Sequence, residues 1–125
     1  YPQWLADLAG DRPPLSIDVV PEHVLPVLKE KKGVVFVVVD CLRLDQWLGI
    51  APLVGEFFAA DVSHYFSIVP TATPYSRNAL FSGLFPGELA AMHPDWWKER
   101  EDESLNQHEK QLLDLQLREL GHPVH

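Results

Sequence analysis

The stretch Val34 to Val39, VVFVVV, is apolar at every position and runs straight into a carboxylate, Asp40. An unbroken run rich in β-branched residues has the pattern of a parallel strand covered on both faces, so it points to a central place in a sheet. Further on, Val69 to Gly83 (VPTATPYSRNALFSG) delivers Thr71 and Thr73 just ahead of a predicted helix. Open α/β sheets bind ligands at the carboxyl ends of their strands. An acidic oxygen ligand and a hydroxyl at a helix amino terminus together point to metal-assisted phosphoryl transfer, because the helix end attracts phosphate and a cation can ionise a hydroxyl.

The remaining segments read as alternating helices and strands. Residues 1 to 21 combine Trp4 and Leu5 with Pro13, Pro14 and Pro21, the pattern of a short helix and an extended lead-in from an upstream region. Residues 22 to 125 are expected to form the amino-terminal part of a larger domain. Glu22 to Lys32 reads as a helix that Pro26 interrupts and that KEKK and Gly33 stop. Leu42 to Phe58 has apolar residues near the helical period, divided by Gly49 and Pro52 into two short helices. Val62 to Val69 reads as a second strand, which with the preceding helix implies a right-handed parallel crossover. Pro74 to Ser82 is a predicted helix with Thr73 as its cap and Gly83 at its end. A loop carrying Pro86, Gly87, Pro94, Trp96 and Trp97 follows. Ser104 and Gln107 then form a capping-box pattern before a helix whose leucines share one face and which Gly121 ends.

At 125 residues the chain can hold one small domain, but a doubly wound hydrolase needs more strands than it offers, so a portion of a larger domain is expected. No apolar run is long enough to cross a bilayer, and the start, YPQWLADLAG, lacks the pattern of a secretory signal; a cytoplasmic location is expected. The formal net charge of −8 argues against a broad nucleic-acid-binding face, while leaving room for an anionic substrate held by metal ions. Cys41, the single cysteine, has no internal disulfide partner and reads as a packing residue rather than a nucleophile.

Each candidate site residue has a functional and a plain structural account. Asp40, at the edge of a dry strand, needs a cation or backbone donors to offset its burial; otherwise it caps the next helix or pairs with Arg43. The strand-plus-aspartate pattern is shared by Walker B motifs, but no GxxxxGK[ST] loop accompanies it, and Leu42 stands where a DxD motif would have its second aspartate. Thr73 is either a metal-activated nucleophile or an ordinary N-cap, and Thr71 fits either role from two residues further off. Arg77 and Asn78, in the first turn of the predicted helix, either contact phosphate oxygens or face solvent and a neighbouring loop. His122 and His125 form only a loose HxxH pair after a helix stop, and His64 and His108 read as packing or surface residues. Trp96 and Trp97, adjacent, read as split between core and surface, with a possible partner face at Trp96.

The combination VVVDCLRLDQW, PTATPYSRNALFSGLFP and LNQHEKQLLDLQL resembles the PglZ domain of the alkaline phosphatase superfamily, particularly the version in PorX-type response regulators. The resemblance runs from about Pro14 to Leu120. Thr73 and Gly83 also stand at the ten-residue interval of the nucleotide pyrophosphatase/phosphodiesterase motif. The resemblance implies a three-layer α/β/α sandwich with a mainly parallel sheet. It implies Thr73 as nucleophile and metal ligand, Asp40 as ligand of one of two zinc ions, and phosphodiester hydrolysis through a phosphothreonine. It further implies a nucleotide-like substrate, an upstream receiver domain and a helical linker, with the remaining metal ligands beyond His125. A homodimer is a further expectation. Pro94 stands where the phosphodiesterases have a phosphate-steadying asparagine, so that contact is not supplied in the same way. The competing expectation is a non-catalytic module that binds a nucleotide or a partner protein.

Overall fold

The computed structural model describes residues 1–30, 33–97 and 106–122. These residues fall into two compact units, one formed by 1–34 with 65–125 and the other by 35–64.

The larger unit is built from short helices. Helix α1 spans Pro2–Ala6, a single 3₁₀ turn covers Ser16–Asp18, and a π-turn at Val20–Val24 runs into α2, Leu25–Lys29. The wide π-turn lies just before Pro26, whose ring would press on the Glu22 carbonyl in a regular α-turn. The predicted helix over 22–32 is thus present in altered form, and Lys31 and Lys32 lie outside the described residues. In the same unit, the α-helix Thr73–Ser82 packs against both the 3₁₀ turn and the α-helix Glu109–Glu119. Leu15, Ile17, Ile68 and Ala79 form the core, and Tyr1, Trp4, Tyr75 and Phe85 pack around it.

The smaller unit contains α3, Leu44–Gly55, one continuous helix where Gly49 and Pro52 predicted two. Its start is set by Gln46, whose side-chain oxygen accepts the Arg43 N–H at 3.0 Å, and by an Arg43–Asp45 ion pair. No residue of α3 is buried.

In chain order the helices that follow are α4 (Thr73–Ser82), α5 (Pro86–Met92) and α6 (Glu109–Glu119). The loop expected around Pro86 is α5, because proline at the first helical position starts a helix as readily as it marks a loop; Glu88 accepts the Phe85 N–H at 2.8 Å. Gly83, at φ +70°, ends α4 with its N–H bonded to the Ala79 carbonyl. Gly121, at φ +75°, ends α6 in a Schellman arrangement: the His122 N–H bonds to the Leu117 carbonyl and the Gly121 N–H to that of Arg118. The predicted Ser104 cap lies outside the described residues, and the described part of α6 has His108 at its N-cap.

The α/β/α sandwich expected from the sequence is overturned. Among the described residues there is no strand and no sheet, only a single parallel bridge between Leu15 and Phe66. Val34–Val39 forms no ladder, and Val35, Val37 and Val39 are 89%, 70% and 60% exposed. The reason is that apolar patterning records what a segment would bury, whereas a strand exists only through hydrogen bonds to a neighbour. The second predicted strand, Val62–Val69, is reduced to that bridge: Phe66 N–H donates to the Pro14 carbonyl and Ser16 N–H to that of Phe66. Beside it, the buried Ile68 donates its N–H to the Ser16 hydroxyl at 3.1 Å. Among the described residues there is therefore no crossover.

Candidate functional site

The chain enters α4 through Val69–Ala72, with a cis peptide bond between Val69 and Pro70. Ala72, in extended backbone, takes the N-cap place, so Thr73 is the first helical residue and Pro74 the second, and the helix starts one residue earlier than the sequence predicts. Thr73 is half-buried and Thr71 exposed. Pro74 carries no N–H, and the N–H groups of Tyr75 and Ser76 both bond to the Ala72 carbonyl at 3.0 Å. The Ser76 hydroxyl donates to the same carbonyl and to that of Thr71. The amino end of α4 therefore has fewer backbone donors to spare than most helix starts.

Arg77 lies four residues beyond Thr73, on the same face of α4. Its guanidinium donates to Glu109 Oε2 of α6 at 2.7 Å, and the second oxygen of Glu109 accepts from Asn106 at 3.2 Å. Asn78 turns inward: it is buried, and its amide nitrogen donates to the Pro74 carbonyl at 2.8 Å, bracing the first turn of α4. That brace was not visible in the sequence, although an i to i−4 side-chain bond is an ordinary possibility for asparagine in a helix.

Asp40 belongs to the smaller unit and is exposed. Cys41 follows at φ +57°, also exposed, its thiol 3.6 Å from Asp40 Oδ1. Cys41 is thus a surface thiol where the sequence predicts a packing residue, a consequence of the missing sheet.

Zinc is tested by the donor set. Among the described residues, no three of His, Cys, Asp and Glu come together in a way that could hold a metal ion. His93 and His108 both stack on Trp96, with ring centroids at 4.7 and 5.2 Å. His64 is exposed, and His125 lies outside the described residues. Trp97 meets Tyr75 edge-on at 5.7 Å; both adjacent tryptophans are half-buried, where a core and surface split was expected. The described residues thus bring together no complete set of zinc ligands, and no step below is routed through metal.

The best-formed ion pair lies away from Thr73. Arg12 grips Asp18 with both terminal nitrogens, at 2.5 and 3.0 Å, and the Leu15 N–H donates to the same carboxylate at 2.7 Å. Burial alone would raise the Asp18 pKa; the Arg12 and Leu15 bonds and the Arg12 charge outweigh it and hold the carboxyl below its ordinary value. This pair fixes the 3₁₀ turn that packs on α4.

A cavity of about 570 Å³ opens between α1, the Val69–Pro70 segment and the start of α5, walled by Tyr1, Leu5, Tyr75 and Phe85. No helix among the described residues is long and apolar enough to cross a membrane.

The model of the PglZ family, described as the BREX system PglZ alkaline phosphatase-like domain, matches residues 19–125. No curated protein matches the chain.

Proposed function

Because this chain belongs to the PglZ alkaline phosphatase-like family, we propose that it serves a phosphoester hydrolase, acting on phosphodiesters of nucleotide-like character with Thr73 as nucleophile. The observation that carries the reading is the place of Thr73: a half-buried hydroxyl on the first residue of a ten-residue helix, with Arg77 one turn behind it on the same face.

In this reading the Thr73 oxygen attacks phosphorus, the new P–O bond forms as the ester P–O bond breaks, and the departing alcohol carries the proton. Water then attacks the phosphorus of the phosphothreonine, the Thr73 Oγ1–P bond breaks, the phosphomonoester leaves and the Thr73 oxygen takes back a proton from the water. The positive end of the α4 dipole and the Arg77 guanidinium favour the charge that accumulates on the phosphoryl oxygens. Asn78 contributes by holding Pro74, and so keeps the nucleophile's turn in place. Zinc as an activating metal stays part of the proposal only as an implication of the family resemblance. So does an upstream receiver domain, as in PorX-type regulators; a cytoplasmic setting and a homodimer are further parts of the proposal.

The test is hydrolysis of a chromogenic phosphodiester, beside the matching monoester, by the full-length protein with zinc or with chelator. Wild type is compared with Thr73→Ala. Diester cleavage that the substitution abolishes supports the reading; a folded wild-type protein that cleaves neither ester rejects it in favour of a binding module.

A further inference from the structure

We propose that Glu109 is a positioning residue for Arg77, aiming its guanidinium from α6 so that it serves a phosphoryl group at Thr73; the proposal rests on the reading of Thr73 and Arg77 given above. An unsupported arginine side chain samples many rotamers, and ordering it on binding costs affinity. Here the Arg77–Glu109 pair is mostly sheltered, with side-chain exposures of 29% and 18%, so it is not a solvent-screened surface contact.

The carboxylate is itself held. One oxygen of Glu109 accepts from Arg77 and the other from Asn106, and the residue begins α6, a helix packed along α4. A group anchored at both oxygens on a packed helix is built to stay in place, which favours a fixed support over a removable mask. The bond between Arg77 and Glu109 is made through one terminal nitrogen of the guanidinium.

Simple electrostatics predicts the opposite of positioning: removing a carboxylate beside an arginine should strengthen anion binding. The sign of the effect therefore separates the two. Inorganic phosphate is titrated by calorimetry into the full-length protein, as wild type, Glu109→Gln, Glu109→Asp, Arg77→Ala and the Arg77→Ala/Glu109→Gln double variant. Thermal melts are run alongside. Positioning predicts that Glu109→Gln weakens phosphate binding roughly tenfold, that Glu109→Asp retains part of the affinity, and that Glu109→Gln adds nothing once Arg77 is alanine. Tighter binding in Glu109→Gln would show that Glu109 masks Arg77 and overturn the proposal. Unchanged affinity with a lowered melting temperature would reduce the pair to a staple between helices and also overturn it. If Thr73→Ala abolishes diester cleavage while Glu109→Gln leaves phosphate affinity untouched, only the positioning role fails; a wild type that neither binds phosphate nor cleaves the diester takes the underlying reading down with it.

Discussion

Gly83, which ends α4 at φ +70°, lies directly against the buried side-chain amide of Gln116 on α6. In the amide orientation that satisfies both neighbours, the Gln116 nitrogen donates to the Phe81 carbonyl at 3.0 Å and its oxygen accepts the Gly83 N–H at 3.3 Å. A side chain from one helix thus completes the backbone hydrogen bonding at the end of another, and the helix that carries Thr73 is tied to α6 at its far end as well as through Arg77.

Gly83→Ala is expected to destabilise the protein by about 2–3 kcal/mol, because an L-residue is strained at this φ and its Cβ would meet the Gln116 amide. Chemical denaturation measures it. A loss under 0.5 kcal/mol would mean that α4 can end without Gly83.

Asn78→Asp replaces an amide that donates to the Pro74 carbonyl with a carboxylate facing the same oxygen in a buried site. The cost at neutral pH should be about 3 kcal/mol. Since burial raises a carboxyl pKa, the penalty should shrink as the pH falls and the group takes up a proton. Melting curves at several pH values test this, and a penalty independent of pH would count against it.

Asp18→Asn should cost about 2 kcal/mol by removing the charged carboxylate that Arg12 grips at a sheltered site. The folded-state pKa of Asp18 is lowered, so the stability it contributes is fully present above its unfolded-state value and is lost as the pH drops below about 4 and on through the folded value. Wild type should therefore lose stability more steeply than Asp18→Asn in that acidic range. Parallel curves for the two would show that the pair is not linked to folding.

Ile68→Ala and Val37→Thr make a matched test of where the core lies. Ile68 is fully buried beside Leu15, and its truncation should cost about 3 kcal/mol. Val37 is 70% exposed, and its substitution should stay within about 0.5 kcal/mol. A cost at Val37 comparable to that at Ile68 would place it in a packed strand.

Proline and glycine were the most legible residues. Gly83 and Gly121 end their helices where the sequence predicts, because the left-handed conformation they adopt is a property of the residue itself. Pro74 marked the start of α4 to within one residue. The same kind of signal misled at Pro52 and Pro86: the first lies inside a continuous α3 and the second opens α5, since a proline restricts its neighbours without saying which element they join. Thr73 was legible as a site candidate for a local reason, its position before proline at a helix start. Arg77 and Asn78 were legible only as names, for their partners Glu109 and Pro74 depend on how α4 turns and what packs on it.

What the sequence by itself determined, then, is where α4 and α6 end and which residues could carry chemistry, because capping, backbone preference and side-chain reactivity act within a few residues. Only the tertiary structure decided that Val34–Val39 forms no ladder, that Glu109 holds Arg77 and that Gln116 closes the end of α4. Those outcomes depend on groups far apart in the chain meeting in space, and a hydrogen bond or a packed surface has no energy until its partner is there.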